Sequence, residues 1–394
     1  MASEMTLKAP ARTAREIPHT VSPGLWALAW KRLKSDHVGM VSLAIVAVFI
    51  AMMIASGTGL IARDWAKETG VNYAPPSFIG ADIEAGTPAA PAGPAAQATE
   101  FKTEVVDPLA DILAELKGEK KQPAGADTAP AGDSAKSVDP LADVMADIRK
   151  DAKGKSVDVA EARAPTLPLG GDKWGRDVLK KTIKGSETSI FVGLAAAAVA
   201  TFLGTLFGAV AGYYGKWVDD AFNWFYSVFN SIPYLLLILA VAAVLQQKGT
   251  LTIILILGLT GWTGTFRLIR GEYLKHKARE YVQAADAIGA SNTRRMFVHI
   301  FPNISHVVLV QLSIYTVGFI KAEVILSFLG FGVPVDVVSW GSMLNEAQNE
   351  LILGKWWQLA AAGTAMAILV TAFSLFTDAL RDALDPKLKG LAGA

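Results

Sequence analysis

Lys321 and Glu323 lie two residues apart within the apolar run from Ile304 to Leu329. An ionised side chain in hydrocarbon is costly and by default marks a path for a solute, ion or proton. On a helix the two point roughly 200° apart, so they cannot pair with each other and each needs its own partner or water. Lys321 stands near the outer end of the run, where its long stem also lets it snorkel to the interface. Other chemistry is sparse. There is no cysteine, which excludes disulfides, thiolate metal sites and thiol nucleophiles. His19, His37, His276, His299 and His306 are scattered, read most simply as surface or interfacial residues, and suggest no metal centre. No nucleophile stands beside a partnered base, and no Gly-x-x-x-x-Gly-Lys-Ser/Thr phosphate loop occurs.

A second constellation points to binding. In the stretch Arg279 to Asn292, Tyr281, Ala284, Ala285 and Ile288 recur at helical spacing and form an apolar stripe, which Gly289 and the following Ala-Ser-Asn end. A short helix with alanine at its centre, set among basic residues, presents a flat surface to another protein. The same pattern serves equally an interfacial membrane helix.

The elements that must position these residues are membrane spans. The chain has 394 residues, 52% of them hydrophobic and 19% charged, more apolar surface than one soluble core buries. Residues 38–61 hold no charge over 24 positions, and at 1.5 Å per residue they reach roughly 36 Å, enough for a hydrocarbon core of about 30 Å. The same reasoning places spans at 189–214, 221–245, 251–266, 304–329 and 357–376, giving an all-α membrane protein with about six transmembrane helices. Ala196, Ala200, Gly204, Gly208 and Gly212 line one face of the second span and allow another backbone to approach closely. Pro233, near Asn230 and Ser231, breaks the third span, while Gly258, Gly261 and Gly264 loosen the fourth.

Outside the spans, the polar first twenty residues lack the apolar core of a cleaved signal. Ser22-Pro23 starts a short amphipathic helix with Trp26, Trp30, Lys31, Arg32 and Lys34, expected to lie in the interface. Residues 62–186 separate the first two spans and include an Ala/Pro-rich insert at about 80–163, whose composition cannot bury enough apolar surface to fold alone. It holds a repeat, Val106-Asp-Pro-Leu-Ala-Asp-Ile and Val138-Asp-Pro-Leu-Ala-Asp-Val, that reads as fleeting helices or as a docking site. Lys8, Arg12, Arg15, Lys31, Arg32 and Lys34 precede the first span, and Arg267, Arg270, Lys275, Lys277, Arg279, Arg294 and Arg295 fill the stretch 267–302. The opposite short loops carry Lys248 and Lys355 alone. That bias puts both termini in the cytoplasm and the insert outside. A net charge of +1 argues against nucleic-acid binding.

With Gln283-Ala284-Ala285, Gly289 and Pro302 in place, the stretch resembles the Glu-Ala-Ala, three residues, Gly loop of ABC importer permeases. Gln283, His299 and Phe301 replace the loop's usual Glu, Ile and Leu. Leu169-Gly-Gly-Asp-Lys-Trp-Gly-Arg-Asp-Val-Leu, Ile325-Leu-Ser-Phe-Leu-Gly-Phe-Gly-Val, Ser339-Trp-Gly-Ser-Met-Leu and Leu380-Arg-Asp-Ala-Leu-Asp-Pro-Lys-Leu are similar to the peptide/nickel branch of that family, to the subunit that pairs with a second, different permease. The match covers nearly all of 167–388 plus the first span; the insert and Lys321 depart from the usual pattern.

The resemblance implies the ABC importer permease fold, with a core at 187–380, a coupling helix at about 280–291 and cytoplasmic tails at 1–37 and 381–394. It implies a multi-pass protein of the bacterial inner membrane and no enzyme. Tyr281, Gln283, Ala284, Ala285, Asp286 and Gly289 would contact an ATPase, and Glu323 and Lys321 would belong to the substrate pathway. Expected partners are a second homologous permease, two ATPase subunits, a periplasmic binding protein and the lipid bilayer. This chain carries no cofactor; ATP and Mg belong to the ATPases. Di- and oligopeptides are the leading substrates, with nickel chelates, glutathione or other peptide-like solutes as alternatives. An ion-coupled secondary transporter would be expected to show an inverted repeat, and an envelope scaffold would depend on the insert.

Overall fold

The computed structural model describes residues 25–80, 163–334 and 336–384; the insert with its repeat and both terminal tails lie outside the described residues. Among the described residues the elements are helices: α1 (Leu25–Ser35), α2 (His37–Gly57), α3 (Val178–Tyr214), α4 (Lys216–Asn230), α5 (Tyr234–Leu245), α6 (Thr250–Thr260), α7 (Thr263–Lys277), α8 (Glu280–Ala287), α9 (Asn292–Phe328), α10 (Trp340–Ile352) and α11 (Trp357–Leu384). α2, α3, α9 and α11 are each long and apolar enough to cross a membrane. The pairs α4–α5 and α6–α7 pass the same length and apolarity test together, so the number is four, or six when each bent pair is counted as one span.

α3 is the central post. It starts well before the expected 189, because the Asp177 carboxylate accepts the Leu179 N–H at 2.8 Å and caps it. Its polar first turns find partners: Lys184 pairs with Glu187 at 2.8 Å, and Lys181 turns inward. The row of small residues packs within the chain, Ala196 and Ala200 in a cluster with Ile253 and Leu257 of α6, and the three glycines against α7. A methyl group on Gly204 would lie 2.6 Å from the Trp262 carbonyl, one on Gly208 2.8 Å from that of Phe266, and one on Gly212 2.6 Å from that of Arg270. Two backbones thus meet along about two turns, a contact that any larger side chain would pry open.

The third span is no single straight helix. α4 and α5 meet at 84° across Ser231, Ile232 and Pro233, where proline withholds a backbone donor. α4 is held by aromatic contacts and by charge. Phe225 stacks on Trp262 with ring centroids 5.3 Å apart, and Asp219 takes a two-pronged bond from Arg270, at 2.5 and 2.6 Å. The fourth span bends by 41° between α6 and α7 and continues to Lys277, past the expected end at 266. α9 begins at 292, earlier than the expected 304; its Arg295–Ile300 segment is a π-type turn just before Pro302, a widening that suits a residue with no N–H to give.

The flanks of the insert fold into a small cap at the end opposite α8. Ala164 N–H bonds to the Thr69 carbonyl at 2.9 Å and Ser77 N–H to the Leu167 carbonyl at 2.9 Å, so the strand-like stretches entering and leaving the insert are tied together. α10, a helix that hydrophobicity alone did not mark, closes this end, started by a Ser339–Ser342 capping box.

Candidate functional site: a docking helix joined to a cleft

α8 stands on the turn between α7 and α9. Val282 and Ala285 are its buried underside, and Val282 packs with Tyr273, Met296 and Ile300. Ile288, 84% exposed, and Tyr281, Gln283, Ala284 and Asp286 face outward. The expected stripe is therefore split: Ala285 anchors, while Tyr281, Ala284 and Ile288 form an exposed apolar surface. Gly289 ends the helix with φ of +83°, in a conformation where a Cβ is strained although nothing crowds it.

The mount beneath α8 is polar and closely tied. Asp286 pairs with Arg295. Arg295 also donates to Asn292 at 2.6 Å, Tyr213 OH donates to the same Asn292 oxygen at 3.1 Å, and Lys277 reaches the Tyr213 carbonyl at 2.6 Å. Tyr273 OH donates to the Met296 carbonyl at 3.2 Å. Lys277 apart, these partners lie more than a helical turn from α8 in sequence, and Val282, Tyr213 and Arg295 carry no local mark of their role.

A cleft of about 360 Å³ opens where the two span breaks meet α9, lined by Asn230, Tyr234, Thr260, Thr263, Tyr315 and Phe319 among others. Tyr315 and Phe319 stack at 5.2 Å and press on the fourth-span break, where a Cβ on Gly261 would fall 2.4 Å from the Phe319 ring and one on Gly264 2.5 Å from the Tyr315 hydroxyl. That hydroxyl accepts the Thr265 N–H at 3.0 Å, meeting a backbone donor near the start of α7. The exposed face of α9 runs through Ile314, Gly318, Lys321 and Ile325; Ile314 and Gly318 line the cleft, and Lys321 follows them on the same face beyond its lining.

Glu323 points the other way, as the two-residue spacing requires. It is fully buried, and one carboxyl oxygen accepts the Ser327 hydroxyl at 2.7 Å. Around it α3, α9 and α10 interlock. Trp340 N–H donates to Ser189 Oγ at 3.1 Å, and a Cβ on Gly341 would sit 2.6 Å from the Val324 carbonyl. The Ser-Phe-Leu-Gly and Ser-Trp-Gly-Ser stretches are thus packing surfaces, and the structure does not bring Glu323 together with Lys321.

A third cluster seals the cap. Lys181, 1% exposed, donates to Asp172 at 2.8 Å and Glu346 at 2.5 Å. Asp172 further accepts the Trp174 and Arg176 amides at 2.9 and 3.0 Å, so the Gly-Gly-Asp-Lys-Trp-Gly-Arg-Asp stretch is a folding anchor. Glu350 receives only a long bond of 3.3 Å from the Lys173 amide. Burial, with the negative charges of Asp172 and Glu346 nearby, pushes its carboxyl up to about 7 against the pull of Lys181.

Comparison with known proteins completes the assignment. The family model of the inner membrane component of binding-protein-dependent transport systems matches residues 204–390, and that of the N-terminal transmembrane domain of oligopeptide transport permease C matches residues 24–76. The dipeptide transport system permease protein DppC of Bacillus subtilis (strain 168) is 38% identical over 221 residues, 56% of this chain and 69% of that protein. The oligopeptide transport system permease protein OppC of the same organism is 36% identical, covering 56% and 72%; OppC of Haemophilus influenzae is 33% identical over 228 residues, covering 57% and 73%. The α8 platform, the cleft and α11 all fall inside the matched core, and the chain belongs to the family of inner-membrane permease components of binding-protein-dependent transport systems.

Proposed function

We propose that this permease is one of two that together form the path of an ATP-driven importer of di- and oligopeptides across the bacterial inner membrane. α8 faces the cytoplasm with both termini, and the cap faces outward, in keeping with the Lys and Arg bias of the flanks. Tyr281, Gln283, Ala284, Asp286 and Ile288 rest on an ATPase subunit, with Gly289 releasing the chain behind them; Ala285 holds the helix to its mount. A binding protein delivers peptide to the outer face, and ATP, held with Mg in the partner subunits, favours one of two arrangements by binding it better.

The observation that carries this reading is the direct connection of the exposed α8 face to the cleft. α7, 15 residues and roughly 22 Å long, has the α8 mount at one end and the fourth-span break at the other. Displacement of α8 therefore tilts α7 along the glycine row of α3 and moves the Tyr315–Phe319 wall. Lys321, on the face of α9 that lines the cleft, belongs to the pathway and favours the carboxylate of a passing peptide. Glu323 acts one layer behind, holding α9 to α3 and α10.

The test is uptake of a labelled tripeptide by the reconstituted complex carrying Gly289→Asp. An L residue at this φ costs about 1–2 kcal/mol and adds charge beside the apolar surface, so uptake falls by more than tenfold while membrane insertion is retained. Normal uptake would remove α8 from the coupling route.

A further inference from the structure

Transport as described leaves the outward side of α1 and α2 without a role. α1 is docked by its underside, Ala29 and Leu33, onto Ala383 and Leu384 at the end of α11. Its other side shows Trp26 and Trp30, 51% and 49% exposed, together with Lys31 and Lys34. The Lys34 ammonium lies 5.3 Å from the centre of the Trp30 ring. Tryptophan beside lysine suits headgroup depth, where one end of a side chain is apolar and the other wet.

Immediately after α1 the chain passes His37 into a groove between α2 and α11, about 650 Å³ in volume and lined by His37, Val41, Ser42, Ile45, Ile368 and Leu375 among others. The Ser42 hydroxyl is turned onto the Gly39 carbonyl at 2.9 Å, so it offers the groove no donor. The groove lining is apolar but for Ser42, Thr371 and His37; His37 stands at its α1 end, three residues after Lys34 and next to Asp36, whose carboxylate is turned onto the Val38 N–H. That pairing of a long apolar slot with a cationic mouth is complementary to one molecule class. We propose that the α2–α11 groove holds an acyl chain of an anionic membrane phospholipid, with Lys31, Lys34 and His37 receiving its phosphate.

The inference is independent of the transported solute and rests only on α2 and α11 standing in a bilayer. Its test uses the intact importer complex, extracted in mild detergent and exposed to equimolar dioleoylphosphatidylglycerol and dioleoylphosphatidylcholine, with retained lipid counted by native mass spectrometry. The wild type retains the glycerol lipid preferentially. The double variant Lys31→Gln/Lys34→Gln loses that preference by roughly thirtyfold, each lysine contributing about fivefold near an anionic surface. Val41→Trp fills the slot and reduces retention of both lipids.

Equal retention of the two lipids by the wild type, or retention unchanged by both variants, overturns the proposal. A photo-crosslinking residue at Val41 separates the remaining occupant: lipid adducts support the site, whereas adducts only to another polypeptide show that a protein covers the groove and overturn it as well.

Discussion

Glu350 is the residue whose environment most departs from its chemistry. Its carboxyl is buried at the cap with Asp172 and Glu346 near it, and is raised from an ordinary value of 4.5 to about 7. A carboxyl with a raised pKa in the fold binds its proton more tightly folded than unfolded. Its contribution to stability is therefore greatest below pH 4.5, is lost as the pH rises to about 7, and then levels off. Thermal unfolding of the purified chain followed from pH 4.5 to 8 should show a loss on the order of 3 kcal/mol across that window, and Glu350→Gln should flatten it. A pH profile identical in the variant would assign the loss to other groups. Lys321 and Glu323 form a matched contrast. Glu323→Ala removes the acceptor of the buried Ser327 hydroxyl and should cost about 2–3 kcal/mol. Lys321→Ala, at an exposed position, should leave stability within about 0.5 kcal/mol while changing the uptake ratio of acidic to basic tripeptides. Equal destabilisation by both variants would contradict the opposed orientations.

At the scale of elements, the bent third and fourth spans hold the cleft between them, and α4 is held to α7 by Asp219 and Arg270. Arg270→Ala should destabilise the α4–α7 contact by about 2 kcal/mol, and in a double-mutant cycle Asp219→Ala should add little further. Additive losses would show that the two side chains act separately. The outlines of these elements were legible in the sequence wherever composition alone decides them. The uncharged run of α2, the row of small side chains at four-residue spacing on α3, Pro233 and the Gly261 region each mark a structural feature by residue type. The row's partner was not legible, because nothing local distinguishes a backbone from the same chain from one of another. The early start of α3 and the whole of α10 were missed for one reason. Lys181 and Glu346 read as surface charges until their pairing across distant segments is known. On α8, spacing identified the apolar stripe but not which of Ala284 and Ala285 would be covered; that depends on Val282 and on Tyr273, Met296 and Ile300 beneath.

For the whole molecule, one arrangement links three levels: a docking face at one end, a cleft at two helix breaks, and a cap at the other end whose two chain segments are bonded to each other. Because Thr69, Ser77, Ala164 and Leu167 join the cap directly, replacing residues 81–163 by a short Gly/Ser link should preserve complex assembly and peptide uptake, measured in membrane vesicles. Loss of uptake in a correctly assembled complex would give the insert a required role, as an envelope scaffold demands. The central claim, that α8 carries the ATPase's action to the cleft, is tested most directly by cross-linking at its exposed face. The chain contains no cysteine, so Ile288→Cys gives it a single thiol of its own. In the purified complex, a short bifunctional reagent should join that position to a co-purifying ATPase chain, in a yield that changes when ATP and Mg are added. Reaction of the thiol with no ATPase adduct under either condition, while peptide uptake proceeds, would contradict the account.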